Sequence, residues 1–173
     1  RQMSGNFQVQ IGSDVKSTTH VRLVPLQGGI VEIQNMERRP EWNNKLNDNK
    51  FRGILEIREV NGASAFINEL PLESYLGGLA EVSNDTPFEK QKAIAVLART
   101  YARFYMDGAH RKFPGLPYDG SDDPAIFQRY LGYGVELRSP NFASAVLATR
   151  DYVVTYNGNL VKKVSFPREV LPL

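Results

Sequence analysis

The sequence predicts an α+β fold, with short antiparallel strands and hairpins packed with about three helices. Three observations carry this. Asn61-Gly62 and Asn157-Gly158 each stand between apolar-alternating segments, a strong two-residue hairpin signal. Residues 70–106 read as a helical pair with apolar residues recurring every three or four positions. The strands come in hairpins and do not alternate with helices, which argues against a wound parallel sheet.

Taken in order, FQVQI at 7–11 and VRLV at 21–24 alternate apolar and polar residues, and IVEIQN at 30–35 does so again after Gly28-Gly29. This reads as a meander of short strands. Residues 37–50, ERRPEWNNKLNDNK, form a loop that Trp42 is expected to anchor to the body. Phe51–Val60 is the clearest strand, with Ile54, Glu56, Arg58 and Val60 on one face and Leu55, Ile57 and Glu59 on the other. Ala63–Ile67 returns beside it. Pro71 suits the first turn of a short helix over LPLESYLGGLAEV. Gly77-Gly78 weaken that helix or admit a close neighbour. For the second helix, Thr86 fits the N-cap, Pro87 the first helical position and Glu89 the third, a capping box with a proline. Ala93, Val96, Leu97, Thr100, Tyr101 and Phe104 give its apolar stripe, and the helix ends near Asp107-Gly108. Residues 109–120 are a loop. Ser139–Leu147 is a third helix with Ser139 as N-cap, and Tyr152–Thr155 with Leu160–Val164 form the closing hairpin. The chain divides into a β-rich segment with its Asn-rich loop, 1–50, and a domain over 51–173 that carries the motifs.

Composition narrows the function classes. A chain of 173 residues with 42% apolar residues, 8 Tyr and 9 Phe can bury a core without disulfides or metals. The formal charge is +2 and no Lys/Arg run exceeds two residues, so a nucleic-acid partner is not expected. The chain contains no Cys, which rules out thiol catalysis and Cys-ligated zinc. Its 2 histidines, His20 and His110, are far apart and read as surface residues. No stretch is long and apolar enough for a membrane span. Beginning at Arg1, the chain reads as a fragment or a mature form.

Among the carboxylates, Glu32, Glu37, Glu41, Glu56 and Glu59 read as solvated, Glu89 as a cap, and Glu69 and Glu73 as helix-start acids. Glu81 differs. It follows Leu79-Ala80, precedes Val82 and falls at a helix end, where negative charge is disfavoured. An acid in apolar surroundings has its pKa raised, which is what a general acid needs near neutral pH. Nucleophile motifs, P-loops and GxGxxG are absent.

The run NELPLESYLGGLAEVSNDTPFEKQKAIAVLARTYA resembles the family of stage II sporulation protein D (SpoIID) and the amidase-enhancer LytB. The resemblance rests on Asn68, Leu70-Pro71-Leu72-Glu73, Tyr75-Leu76 and Gly78. It continues through Glu81, Pro87, Glu89, Lys92-Ala93, Ala95 and Ala98-Arg99-Thr100-Tyr101-Ala102. Upstream, Phe51–Glu56 matches F-R-G-x-L-E. Downstream, Asp123, Gln128, Tyr130 and Gly132 match D-x-x-x-x-Q-x-Y-x-G, and Ala145–Arg150 precedes a V-x-x-Y-x-G hairpin at Val153, Tyr156 and Gly158. It covers about residues 51–166. The family's second-helix Gln is Ile94 here, and its Met-Pro after the key Glu is Val82-Ser83. Most members continue into a Ser-rich, Gly-Gly segment where this chain reads PREVLPL. The chain is then either incomplete or of a branch lacking part of the groove.

What the resemblance implies is a lytic transglycosylase acting on peptidoglycan glycan strands stripped of stem peptides, outside the cytoplasm at the cell wall or cell surface. Glu81 corresponds to the catalytic Glu. Arg99, Asp123, Gln128 and Tyr130 are the candidates for lining the sugar groove, or alternatively scaffold that joins the two motifs. No cofactor and no metal are expected, because the Cys and His ligands of the zinc-binding members are missing. Relatives that enhance amidases imply an alternative: a non-catalytic wall-binding or amidase-activating module, with a cell-wall amidase as partner.

Overall fold

The computed structural model describes residues 7–40 and 42–162. Among them are four helices and short antiparallel strands in small sheets, an α+β architecture. Strand β1 (Phe7–Ile11) pairs with β2 (Asp14–Thr18) as a separate ribbon. Strands β3 (His20–Leu23), β6 (Ile54–Val60) and β7 (Ala63–Glu69) form a three-stranded sheet in the order β3-β6-β7. Between β3 and β6, β4 (Val31–Glu32) pairs with β5 (Lys50–Phe51). The β6–β7 hairpin turns at Asn61-Gly62, both with positive φ (52° and 79°), the conformation a type I′ turn requires. Asn157-Gly158 repeats it (50° and 79°) between β8 (Thr155–Tyr156) and β9 (Asn159–Leu160). That closing hairpin is shorter than the alternation predicted, and the Val164 end of its expected second strand lies outside the described residues.

Two expectations for the first half need correction. Trp42 is 70% exposed and anchors nothing. The Asn-rich loop is held by polar side chains instead: Asn47 bonds Arg38 N–H and Met36 C=O, and Asn49 donates to Ile33 C=O. Glu56 is buried, not solvated. It accepts from Arg22 at 2.8 Å and Arg58 at 3.1 Å. Glu41 lies outside the described residues.

The helical part follows. Helix α1 spans Leu72–Gly77, α2 Phe88–Met106, α3 Tyr133–Arg138 and α4 Pro140–Ala148. The short α3 has no counterpart among the helices the sequence predicts. Helices α1 and α4 pack on α2, and Phe51, Leu76, Leu79, Ala95, Ala98, Tyr130, Phe142 and Val146 make the core between them.

The buried face of α2 is not the stripe predicted. It consists of Gln91, Ala95, Ala98, Arg99, Thr100, Ala102 and Tyr105, whereas Ala93 is exposed and Leu97, Tyr101 and Phe104 are half-buried. The helical period is the one expected, but the buried phase is rotated from it. Two polar residues, Gln91 and Arg99, occupy core positions that a hydrophobic count passes over. The alanines on this face leave room for α4 to approach closely.

The capping box also gives way to a different device. Pro87 has ψ 135° and precedes the helix rather than opening it, and no side-chain cap bond is made there. Glu89 turns aside to Lys92 at 2.7 Å. The start of α2 is fastened by fully buried Gln91, whose amide donates to Asn84 C=O (3.0 Å) and Thr86 C=O (2.6 Å). Satisfying these turn carbonyls from inside holds residues 83–87 against the helix.

Candidate functional site

Glu81 follows α1 by four residues, and its position is set from across the chain. Ala80 N–H donates to Arg129 C=O at 2.9 Å, and Leu131 N–H donates to Gly78 C=O at 3.0 Å. Leu79 and Tyr130 thereby form a one-rung antiparallel bridge. The Glu81 carboxylate completes the ladder by accepting Arg129 N–H at 2.9 Å. The close approach needs Gly78: a Cβ there would lie 2.5 Å from the Tyr130 ring. Thus the two motifs that stand out in the sequence, around Glu81 and around Gln128, are one structural unit. On the other side, Asn84 binds Asn141 of α4 through both its side chain and its C=O (3.0 and 3.1 Å).

Glu81 is exposed, so the apolar enclosure expected from its neighbours is not present. It stands at the rim of an open cleft of about 370 Å³, whose walls include Leu97, Tyr101, Phe127, Gln128 and Lys162. Glu81 is the sole carboxylate among the described lining residues.

Gln128 is buried and its amide is oriented on both sides. Tyr75 Oη donates to Oε1 at 3.1 Å, and Nε2 donates to Ala98 C=O at 3.3 Å. Burial pushes the Tyr75 hydroxyl far above the ordinary phenol range, and the nearby Glu81 charge adds to the shift. Tyr75 therefore stays a donor at any physiological pH. Behind the wall, Lys112 Nζ sits 5.7, 5.3 and 5.7 Å from the ring centroids of Tyr101, Tyr105 and Phe127, and it bonds Tyr101 Oη and Ile126 C=O. This cation–π cluster ties the 107–127 loop to α2 and sets two of the cleft's aromatic rings.

The other candidates lie elsewhere. Arg99 is fully buried, away from the cleft. It makes two 2.8 Å bonds to the Glu73 carboxylate and donates to Val146 C=O, Tyr152 C=O and Thr149 Oγ1. That is an internal clamp of α1, α2 and α4. Asp123 is exposed and holds a turn, accepting Ala125 N–H on its side chain and Ile126 and Phe127 N–H on its C=O. Tyr130 stacks on Tyr75 at 5.2 Å and donates to Asn68 Oδ1 at 2.6 Å. Its hydroxyl is pushed far up, by burial first and then by the Glu136 charge. Tyr130 faces a different, larger cleft of about 830 Å³ between the β3-β6-β7 sheet and the 113–127 loop. Glu81 is not part of that cleft, and its walls carry charges already paired, such as Arg22 with Glu69 and Arg38 with Asp122.

Of the sequence candidates, then, Glu81 and Gln128 meet in one cleft. Tyr101, Phe127 and Lys162 join them without having been singled out as site residues. Tyr101 lies inside the Arg-Thr-Tyr-Ala run and Phe127 directly precedes Gln128, so both were within reach of the motifs. Lys162 carries no such signal. Among the described residues, no group of His, Cys, Asp and Glu is placed to hold a metal ion.

Comparison with known proteins bears on the same region. The family model described as stage II sporulation protein, SpoIID, matches residues 60–156. An uncharacterised protein of Brachyspira hyodysenteriae is 34% identical over 118 residues, which is 67% of this chain. The chain spans about 30% of that relative's length. No solved structure matches.

Proposed function

This chain belongs to the stage II sporulation protein (SpoIID) family, which points to a cell-wall-related function, and on that premise we propose that it is a peptidoglycan lytic transglycosylase. Glu81 is its general acid and base. The observation that carries this reading is a cleft whose described walls hold one carboxylate, a fixed amide and aromatic rings. Glycosidases that use water or an enzyme nucleophile generally need two carboxyl groups. One suffices when the nucleophile belongs to the sugar. The Glu81 carboxyl gives its proton to the glycosidic oxygen between MurNAc and GlcNAc, and the C1–O bond breaks with its electrons passing to the departing GlcNAc. The C6 hydroxyl of MurNAc attacks C1 and closes a 1,6-anhydro ring, and its proton passes to the Glu81 carboxylate. In this reading Tyr101 and Phe127 offer faces to the sugar rings, and the oriented Gln128 amide borders the site.

The ladder with residues 129–131 supports the role by holding Glu81 in place. A bound glycan strand would cover the exposed carboxyl and exclude water from it. The reading places the chain outside the cytoplasm, at the cell wall or cell surface. Among the described residues no helix is long and apolar enough to cross a membrane.

Mass spectrometry of products from peptide-free glycan strands tests the proposal. The expected result is anhydro-sugar products from the wild-type chain, reduced by about a hundredfold or more in Glu81→Gln with the circular dichroism unchanged. Full activity in Glu81→Gln would refute the assignment. The exposure of Glu81 favours a second reading, a glycan-binding module that stimulates a separate amidase. Binding without cleavage, together with faster release by an added amidase, would select it.

A further inference from the structure

Resting on the reading of the Glu81 cleft as a glycan site, we infer that Lys112 is a positioning residue for glycan binding, acting through Tyr101 and Phe127. The loop that supplies Phe127 and Gln128 to the cleft runs from 107 to 132 without a helix, and its backbone pairs with the body at the Leu79–Tyr130 bridge, beyond both residues. Phe127 has open space on two sides. Among the described residues it is the one that lines both the Glu81 cleft and the larger cleft beside the β3-β6-β7 sheet. Packing alone therefore gives its ring no closed bed.

Lys112 supplies the constraint. Its ammonium donates to Ile126 C=O, on the peptide unit that leads into Phe127, and to Tyr101 Oη of α2 at 3.1 Å. It also lies 5.7 Å from the centroids of both the Tyr101 and the Phe127 ring, which are themselves 5.0 Å apart. One half-buried charge thus fixes two walls that come from different elements, a helix and a loop. Gly120 adds a steric stop, since a Cβ there would lie 2.7 Å from the Phe127 ring. Lys112 does not itself line the Glu81 cleft, so its effect on a ligand passes through these rings. A ligand that meets rings already held loses less free energy to ordering them than one that must fix them on arrival.

Titration calorimetry with a peptide-free GlcNAc–MurNAc oligosaccharide tests the inference, in the full chain carrying Glu81→Gln so that no turnover occurs. Lys112→Met keeps the length of the stem and removes the charge. It should weaken binding about tenfold, the scale of a partly desolvated cation–π contact, with the circular dichroism unchanged. Tyr101→Phe keeps the ring and deletes the hydroxyl that Lys112 holds, and it should weaken binding about threefold. In the Lys112→Met background the same change should cost nothing further, because both break one link. A hydroxyl that touched the sugar directly, or a lysine that only stabilised the loop, would give additive losses instead. Additive losses, or unchanged affinity in either single variant, overturn the inference and leave the glycan reading standing. Tyr101→Phe decides alone if Lys112→Met does not fold. Absence of binding by both the wild type and the Glu81→Gln parent overturns the glycan reading and the inference together.

Discussion

Removing the Arg99 guanidinium would strip a mostly buried carboxylate, Glu73, of both its 2.8 Å bonds and free two backbone carbonyls. Breaking such a pair from one side costs about 3 kcal/mol or more, because the surviving charge stays out of water. Urea unfolding of Arg99→Met should show that loss, and replacing Glu73 by Leu in the same chain should recover part of it. A variant with an unchanged midpoint but lost glycan binding would return Arg99 to the groove. The residue's pull towards a binding role came from its place in the Ala-Arg-Thr-Tyr run. The phase of α2 places it in the core, and a single sequence shows that only if a buried Arg is admitted as a core residue.

At the scale of elements, the start of α2 separates two explanations. If Thr86 capped the helix, Thr86→Ala would cost about 1 kcal/mol. Since no such bond is made, thermal unfolding should move by less than about 0.5 kcal/mol. Gln91→Met should instead cost about 1–3 kcal/mol, by leaving the Asn84 and Thr86 carbonyls without their buried donor. A second element-level test is Gly78→Ala. Its methyl group would meet the Tyr130 ring, and the overpacking should cost about 1–3 kcal/mol and weaken glycan binding by parting residues 78–81 from 128–131. The two Asn-Gly hairpins and the α4 helix were legible because local turn chemistry and a proline in the helix's first turn dictate them, although Ser139 makes no side-chain cap bond. The cleft was legible only in its parts. Glu81 and Gln128 could be named, but their meeting depends on a ladder formed across about fifty residues of chain, which no local pattern encodes.

For the whole molecule, the stacked pair Tyr75–Tyr130 couples stability to alkaline pH. Both hydroxyls are held neutral in the fold by burial, so their folded pKa values lie above the unfolded value of about 10. Their contribution is fully present below about pH 10. Above it, stability should fall by about 1.4 kcal/mol per pH unit for each of the two, since unfolding then releases their protons. A tyrosine absorbance titration should find two of the 8 tyrosines ionising together with loss of structure, and one fewer in Tyr130→Phe. Whole-molecule architecture carries one more consequence, for the order of events in folding. Helices α1 and α2 are neighbours in sequence and can pack early, but the Ala80–Arg129 and Gly78–Leu131 bonds wait for the 107–127 loop to close. Glu81 is then among the last groups to reach its place and among the first to lose it. Amide protons of Ala80 and Leu131 should exchange through an opening smaller than global unfolding, so that function can fail in a chain whose core is still intact.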